Sequence, residues 1–398
     1  MAPASRSARS AAPAGRTAAT RPRNRRQLIV EAAGRVFSER GYHPASMEEV
    51  AAGVGITAAA LYRHFPNKYA LFAECADVMV DGLATALDEL PAGASLSDVL
   101  TAITRITIAH RASGGVYRWE ARYLSHEDRR RLAAKFGRLV ERVDAAVQRE
   151  HPLPDKRLRA VAALGAIASI TMHHTSIAQR RAEELLLVSA LRVTARDPAA
   201  GRPGARPLEL PAPPVPRTRR SEILAAAIPL FARDGFAGVT NGQIAQAVGL
   251  TTSALYRHYP GKIDILSAAC LQAAGLLAQG VERSLHEVAG PHDAVVALAA
   301  TYVAYSFGHT ELNSVAEAEL TGLPAQLRQP LLLAQREHIA VWEHQLRLVR
   351  PELDPRQARV LVHAGFGVTV EAGRRLRWQD SPEHRAAVTA LVVAALGL

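Results

Sequence analysis

At 398 residues and 48% apolar side chains, the chain has material for two to four domains of roughly 150 residues each. Its net charge of +11 and pI near 10.1 point to polyanionic partners, nucleic acid or an anionic membrane surface, and carry no information on fold. Two cysteines in separate helical stretches, Cys75 and Cys270, argue against a disulfide framework; no apolar run approaches the roughly 18 residues of a membrane span and no apolar leader opens the chain, so a cytoplasmic protein is expected.

Residues 1–22 are Ala, Pro, Ser, Thr and Arg, with too little apolar surface to offset the entropy of ordering, and read as a disordered arm. The arm carries Arg6, Arg9, Arg16 and Arg21 and runs into Arg23, Arg25 and Arg26. It is either a basic extension that reaches phosphates or the minor groove, or a solvated tail.

From Arg25 the apolar residues take helical spacing, with Leu28, Ile29, Ala32, Ala33, Val36 and Phe37 on one face and Gly41 as the stop. Ser46-Met47-Glu48-Glu49 is a capping box: the Ser46 hydroxyl meets the Glu49 N–H, and the Glu49 carboxylate reaches back. A short helix follows, Gly53-Val54-Gly55 makes a turn, and Thr57 caps a second short helix that Pro66 stops. This is a helix-turn-helix. Leu61 and Phe65 share the buried side of its second helix; Ala58 with Tyr62, and Ala59 with Arg63, share the outer side. Small residues at the start of that helix permit close approach to a groove floor, and Tyr62, Arg63 and His64 extend towards phosphates or base edges. Lys68 sets a cation against the dipole of the next helix, which a phosphate seated there would explain.

The pattern recurs without a gap at an offset of 194 (235 − 41). Gly41 becomes Gly235, Arg25 Arg219, Ile29 Ile223, Phe37 Phe231, Gly55 Gly249, Tyr62 Tyr256 and Lys68 Lys262. Thr240-Asn241-Gly242-Gln243 repeats the capping box, and the second outward helix runs Thr251-Thr252-Ser253-Ala254-Leu255-Tyr256-Arg257-His258. Pro229, inside the first helix of this copy, is expected to bend it.

Both copies resemble the DNA-binding domain of TetR-family transcriptional regulators. The likeness rests on Phe37-x3-Gly41-Tyr42 and Thr57-x3-Leu61-Tyr62-Arg63-His64-Phe65-x2-Lys68, and on Phe231-x3-Gly235-Phe236 and Thr251-x3-Leu255-Tyr256-Arg257-His258-Tyr259-x2-Lys262. The rest of each half is similar to the family in length and helical character only. The resemblance implies an all-α fold of two tandem TetR-like units, each a three-helix helix-turn-helix domain plus a helical ligand-binding and dimerisation domain. It implies phosphate contacts from Ser46 and Thr240 and from Tyr62, His64, Lys68, Tyr256, His258 and Lys262. It also implies a regulator, usually a homodimer, that leaves double-stranded DNA when a small molecule enters the second domain.

The expected division is arm 1–22, helix-turn-helix domain 23–69, helical regulatory domain 70–196, Pro-rich linker 197–216, second helix-turn-helix domain 217–263 and second regulatory domain 264–398. In the first regulatory domain the spacing predicts helices over 71–90, 96–112, 126–150, 156–178 and 181–195, with a short one over 117–124; the second ends in helices over 356–377 and 382–396. The linker, at about 3.1 Å per residue, reaches roughly 60 Å, enough to return from the far end of one unit to the DNA side of the other. Alanine and glycine throughout 156–178 suit close helix packing. Two arrangements are open: the halves pair within one chain through their last two helices as a four-helix bundle, or two chains form a homodimer with four DNA-binding domains. Ala58-Ala59 in one copy is Thr252-Ser253 in the other, so the two half-sites should differ.

Rival readings are weaker. Gly53-x-Gly55-x-x-Ala58 fits a dinucleotide loop, which requires a preceding strand, and a capped helix precedes it. His173-His174, His338 and His344 lie on different helix faces without cysteine support, so no metal is expected. Tyr117, Trp119, Glu120, Tyr305, Glu317 and Trp342 could line a ligand pocket or simply fill the cores. With no Ser/His/Asp or paired-carboxylate arrangement, no enzyme and no cofactor are expected. The expected function is a repressor released from its operator by an unidentified small-molecule effector, with a cytoplasmic, nucleoid-associated location; the alternative is an architectural DNA-binding protein without an effector. No membrane partner is expected.

Overall fold

The computed structural model describes residues 25–111, 123–200, 215–286 and 288–398, and every regular element among them is helical. The arm, residues 112–122 and most of the linker lie outside the described residues. The first unit opens with α1 (Arg25–Arg40), α2 (Met47–Gly53) and α3 (Ala58–Tyr62). It continues with α4 (Lys68–Asp88), α5 (Leu96–Ala109), α6 (His126–Glu150), α7 (Leu158–Ala168) and α8 (Gln179–Ala195). The second unit opens with α9 (Arg219–Gly238), α10 (Asn241–Ala247) and α11 (Thr252–Leu255). It continues with α12 (Lys262–His286), α13 (Pro291–Gly308), α14 (Thr310–Glu319), α15 (Ala325–Val349), α16 (Pro355–Arg375) and α17 (Pro382–Leu396).

Local chemistry sets these limits. Ser125 caps α6 by accepting from the Asp128 N–H, with Glu127 and Asp128 in the first turn, where negative charge meets the positive end of the dipole. Asp354 caps α16 and Pro355 opens it. Gly41 (φ 82°) closes α1 in the left-handed region. Its counterpart Gly235 (φ 71°) breaks α9, which runs through Pro229 before that point. The helix expected over 156–178 is shorter than predicted. It ends at Ala168 and tightens into a 3-10 turn, Ser169–Thr171, whose hydroxyls donate back to the Ala166 and Ala168 carbonyls at 2.7 and 2.8 Å. Such local bonds compete with helix propagation.

The two units share one core. α7 and α8 pack against α16 and α17 in a four-helix bundle formed within the single chain. At its centre α7 and α16 cross backbone to backbone: a methyl group on Gly165 would stand 2.9 Å from the Gly367 carbonyl carbon, and one on Gly367 equally close to that of Gly165. The Ser189 hydroxyl donates to the Ala395 carbonyl at 2.8 Å, the Arg375 guanidinium donates to the Lys156 carbonyl at 2.9 and 2.7 Å, and the His173 ring stacks on His363 with centroids 4.1 Å apart. In the first turn of α7, Arg159 is fully buried, and each of its three side-chain nitrogens donates: to Asp155, to the Thr194 carbonyl and to the His151 carbonyl.

α14 packs on α9 of the second helix-turn-helix domain, and the turn after it, Leu320–Gly322, touches α1 of the first. Both helix-turn-helix domains are therefore gathered around one segment of the second unit, residues 310–322. By length and composition α12 is apolar enough to cross a membrane, contrary to the expectation that no run reaches that length. Its Ile265, Leu266, Ala269, Cys270 and Leu276 are buried against the second helix-turn-helix domain, which accounts for that composition.

Candidate nucleic-acid interface

In each helix-turn-helix the buried face fixes what the outer face presents. Leu61 and Phe65 sink into a core with Ile29, Phe37, Leu71 and Phe72; Leu255 and Tyr259 do the same against Ile223, Phe231, Ile265 and Leu266. The opposite faces turn outward. Thr57, Ala59, Tyr62, Arg63 and His64 are exposed in the first copy, as are Thr251, Thr252, Ser253, Tyr256 and Arg257 in the second; Ala58 and His258 are half-buried. Tyr62 and Tyr256 are both 48% exposed, unusual for aromatic rings on an ordered helix.

Caps hold these helices in place. The Thr57 hydroxyl accepts from the Ala60 N–H and the Thr251 hydroxyl from the Ala254 N–H, each at 3.2 Å. Ser46 and Thr240 close complete capping boxes with Glu49 and Gln243. The Tyr256 hydroxyl accepts from Asn241 at 2.9 Å, which fixes its ring; the first copy has Met47 at the position of Asn241 and lacks this bond.

Lys68 and Lys262 do more than the sequence indicates. Lys68 donates to the His43 carbonyl at 3.0 Å and lies 4.8 Å over the Tyr42 ring. Lys262 donates to the carbonyls of Phe236 (2.6 Å) and Val239 and lies 4.3 Å over the Phe236 ring. Burial pulls both ammonium pKa values below the usual lysine value. Carbonyl oxygens and a ring face thus offset the opposing dipole without a phosphate, and each lysine retains donor capacity, having three N–H groups.

A second basic pair sits behind the outward helices. Arg26 donates to the His64 carbonyl at 2.9 Å and stacks 4.3 Å from the Phe65 ring. Arg220, the same position one repeat later, donates to the His258 carbonyl and stacks 3.9 Å from Tyr259. Both clamp the end of a recognition helix to the first helix of its domain. Arg26 is thus part of the folded domain, inside the expected bounds 23–69, and its clamp on the outward helix is what the sequence did not indicate. The repeat offset, applied to Arg26, was the available clue.

A family model described as bacterial regulatory proteins, tetR family, matches residues 29–75 and 223–269, the two segments just described. Nucleoid occlusion factor SlmA of Photorhabdus laumondii is 30% identical over 148 residues, 35% of this chain and 71% of SlmA. The chain belongs to the TetR family. It is a DNA-binding transcriptional regulator with two TetR-type helix-turn-helix domains in tandem, a non-enzymatic fold. HTH-type transcriptional activator FasR of Mycolicibacterium smegmatis is 40% identical over 65 residues, 16% of this chain and 29% of FasR. Among solved structures, a TetR-family regulator from Bordetella parapertussis aligns over 45% of this chain and 95% of its own, with 22% identity and a TM-score of 0.41.

The residues expected to line a pocket in this TetR-family chain fall in three places. Tyr117, Trp119 and Glu120 lie outside the described residues. Tyr305 is buried in the core beneath the second helix-turn-helix domain, where burial raises its hydroxyl pKa. Trp342 is fully buried, its indole N–H donating to His338 at 3.2 Å; Glu317 is half-buried and accepts long bonds, 3.4 Å, from Tyr302 and Asn313. A cavity of ≈ 40 Å³ lies instead in the first unit, between α4, α5, α6 and α7, and none of Tyr305, Glu317 and Trp342 lines it. Among the described residues no group of three or more His, Cys, Asp or Glu is placed to hold a metal ion.

Proposed function

We propose that one chain is a covalent pseudo-dimer that places its two recognition helices on two half-sites of a single duplex and represses transcription until a small-molecule effector releases it. The observation that carries this reading is the α7–α8–α16–α17 bundle: the surfaces that two separate subunits would use to pair are consumed within one chain. The segment 310–322, which touches both DNA-binding domains, holds them as neighbours. The contacts fall to Ser46, Thr57, Ala58, Ala59, Tyr62, Arg63, His64 and Lys68 in one domain. In the other they fall to Thr240, Thr251, Thr252, Ser253, Tyr256, Arg257, His258 and Lys262. The recognition helices then sit about 34 Å apart or a multiple of it.

Release has a physical route. α4 runs from Lys68, which grips the first helix-turn-helix domain, to the wall of the cavity. On the way Tyr69 donates to Asp128 at the start of α6, and Lys135 and Arg131 of α6 pair with Asp77 at 2.8 Å. A molecule that separates α4 from α6 therefore moves the helix on which the first recognition helix rests. In the second unit the Glu319 carboxylate accepts from the Phe236 N–H at 2.9 Å, tying α14 to the last turn of α9, just past its break at Gly235.

The likeness to a nucleoid occlusion factor favours a second reading, an architectural DNA-binding protein without an effector. Binding to a selected operator and to random duplex, each across a salt series, separates the two. A regulator shows a specific-to-nonspecific ratio of roughly 10³ or more; an architectural protein shows the same steep salt slope with little preference.

A further inference from the structure

The two regulatory domains differ where a ligand would enter. The first unit's cavity is lined almost wholly by apolar atoms, among them Met79 of α4, Phe136 and Leu139 of α6 and Leu164 of α7. The Thr107 hydroxyl at its edge is spent on the Ile103 carbonyl at 2.8 Å. One charged residue is in the lining, Glu371, and it belongs to α16 of the second unit. Glu371 is 15% exposed, and one of its partners, Arg374 at 3.1 Å, lies one turn along the same helix and is half-exposed.

Helix caps give the register of the second unit. Ser95 and Gly290 cap α5 and α13, an offset of 195 (290 − 95), which carries Thr107 to Tyr302. His151 and Arg350 end α6 and α15, an offset of 199 (350 − 151), which carries Leu139 to His338 and Val143 to Trp342. Asp155 and Asp354, before α7 and α16, keep that offset and carry Leu164 to His363 and Ile167 to Phe366. Every one of these substitutions replaces a small or aliphatic side chain with a ring. The rings meet: Phe366 lies 4.4 Å from Tyr302, 5.3 Å from Trp342, 5.7 Å from His363 and 5.8 Å from His338, centroid to centroid. The space that is open in the first unit is packed with aromatic side chains in the second. At the same offset Glu371 corresponds to Met172, so the carboxylate is one-sided as well.

We propose that the effector binds only the first unit, one molecule per chain, and that it is an apolar molecule whose single polar group donates a hydrogen bond to Glu371. The second unit is then a scaffold that holds the pair together and supplies the acceptor. The site rests on the effector-responsive reading above. The cavity at ≈ 40 Å³ has room for only a few heavy atoms, so occupation pushes α4 from α6, across which the ion pairs Arg131–Asp77, Lys135–Asp81 and Arg142–Asp88 are partly solvent-exposed and cheap to rearrange.

Equilibrium dialysis of the full chain against n-octylamine, an apolar chain with one donor group, tests this. The expected result is saturable binding of one molecule per chain, at least tenfold weaker in Glu371→Gln and abolished in Thr107→Tyr, which installs the second unit's residue. Trp342→Ala, in the second unit, should leave the first site's affinity unchanged. Two molecules per chain, no saturable binding by the unsubstituted chain, or undiminished binding in both Glu371→Gln and Thr107→Tyr would overturn the proposal. Operator affinity is measured in parallel: one-to-one octylamine binding that leaves it unchanged refutes effector release but not the site, whereas loss of the site leaves effector release to be carried elsewhere.

Discussion

Lys68 and Lys262 each begin a helix, where a cation is disfavoured, and each is held there by carbonyl oxygens and an aromatic face. Hydrogen bonds from a charged group contribute roughly 1.5–3 kcal/mol. Lys262→Ala should therefore destabilise the second helix-turn-helix domain by about that amount, read as a lower denaturation midpoint, and weaken binding to all DNA sequences alike. A changed sequence preference at unchanged affinity would count against a phosphate-facing role. A different residue governs pH dependence. His363 is buried, and burial, followed by the nearby Arg359 charge, lowers its pKa to about 4. The unfolded chain, with a histidine pKa of about 6.5, binds the proton first, so stability is full above that pH and falls as the pH drops towards 4, by about 1.4 kcal/mol per unit. Thermal melts between pH 7 and 5 should show this decline, and His363→Phe should make it shallower; His173, stacked on the same ring, keeps part of it.

At the scale of elements, the α7–α16 crossing and the recognition helices make separate predictions. Gly367→Ala drives a methyl group into the backbone of α7 and should cost about 1–3 kcal/mol or more, since neither backbone can yield as a side chain does. A melting temperature equal to that of the unsubstituted chain would show that the helices do not cross this closely. Exchanging Ala58-Ala59 for Thr-Ser, as found at Thr252-Ser253, should make the selected operator more nearly symmetric without altering its length. The helix-turn-helix domains were legible in the sequence because their information is local: Ser46 with Glu49, Thr57 before the outward helix, Gly41 at a left-handed stop. The bundle was legible as a stretch of alanine and glycine. What escaped depends on partners distant in sequence. Nothing near Lys68 names the His43 carbonyl as its acceptor, nothing near Arg159 names Thr194, and Glu371 reaches a cavity in the other half of the chain. The early end of α7 had a local cue in Ser169 and Thr171, outweighed in reading by the apolar periodicity around them.

At the scale of the whole molecule, fusing two units frees each from the symmetry that identical subunits impose. The outward helices have diverged at Ala58-Ala59 and Thr252-Ser253, so selection from a random DNA pool should return two unequal half-sites; a perfect palindrome would contradict this. The helical domains behind them differ too, one holding a cavity and the other a ring cluster, while the bundle between them remains a single core. Association within one chain carries no dependence on protein concentration, so operator binding should keep a constant stoichiometry on dilution. The measurement that reaches this account most directly is the mass of the protein–DNA complex on one selected operator duplex at saturation. One chain of 42.7 kDa per duplex is the expected result. Two chains per duplex, with no complex of a single chain at any dilution, would contradict it.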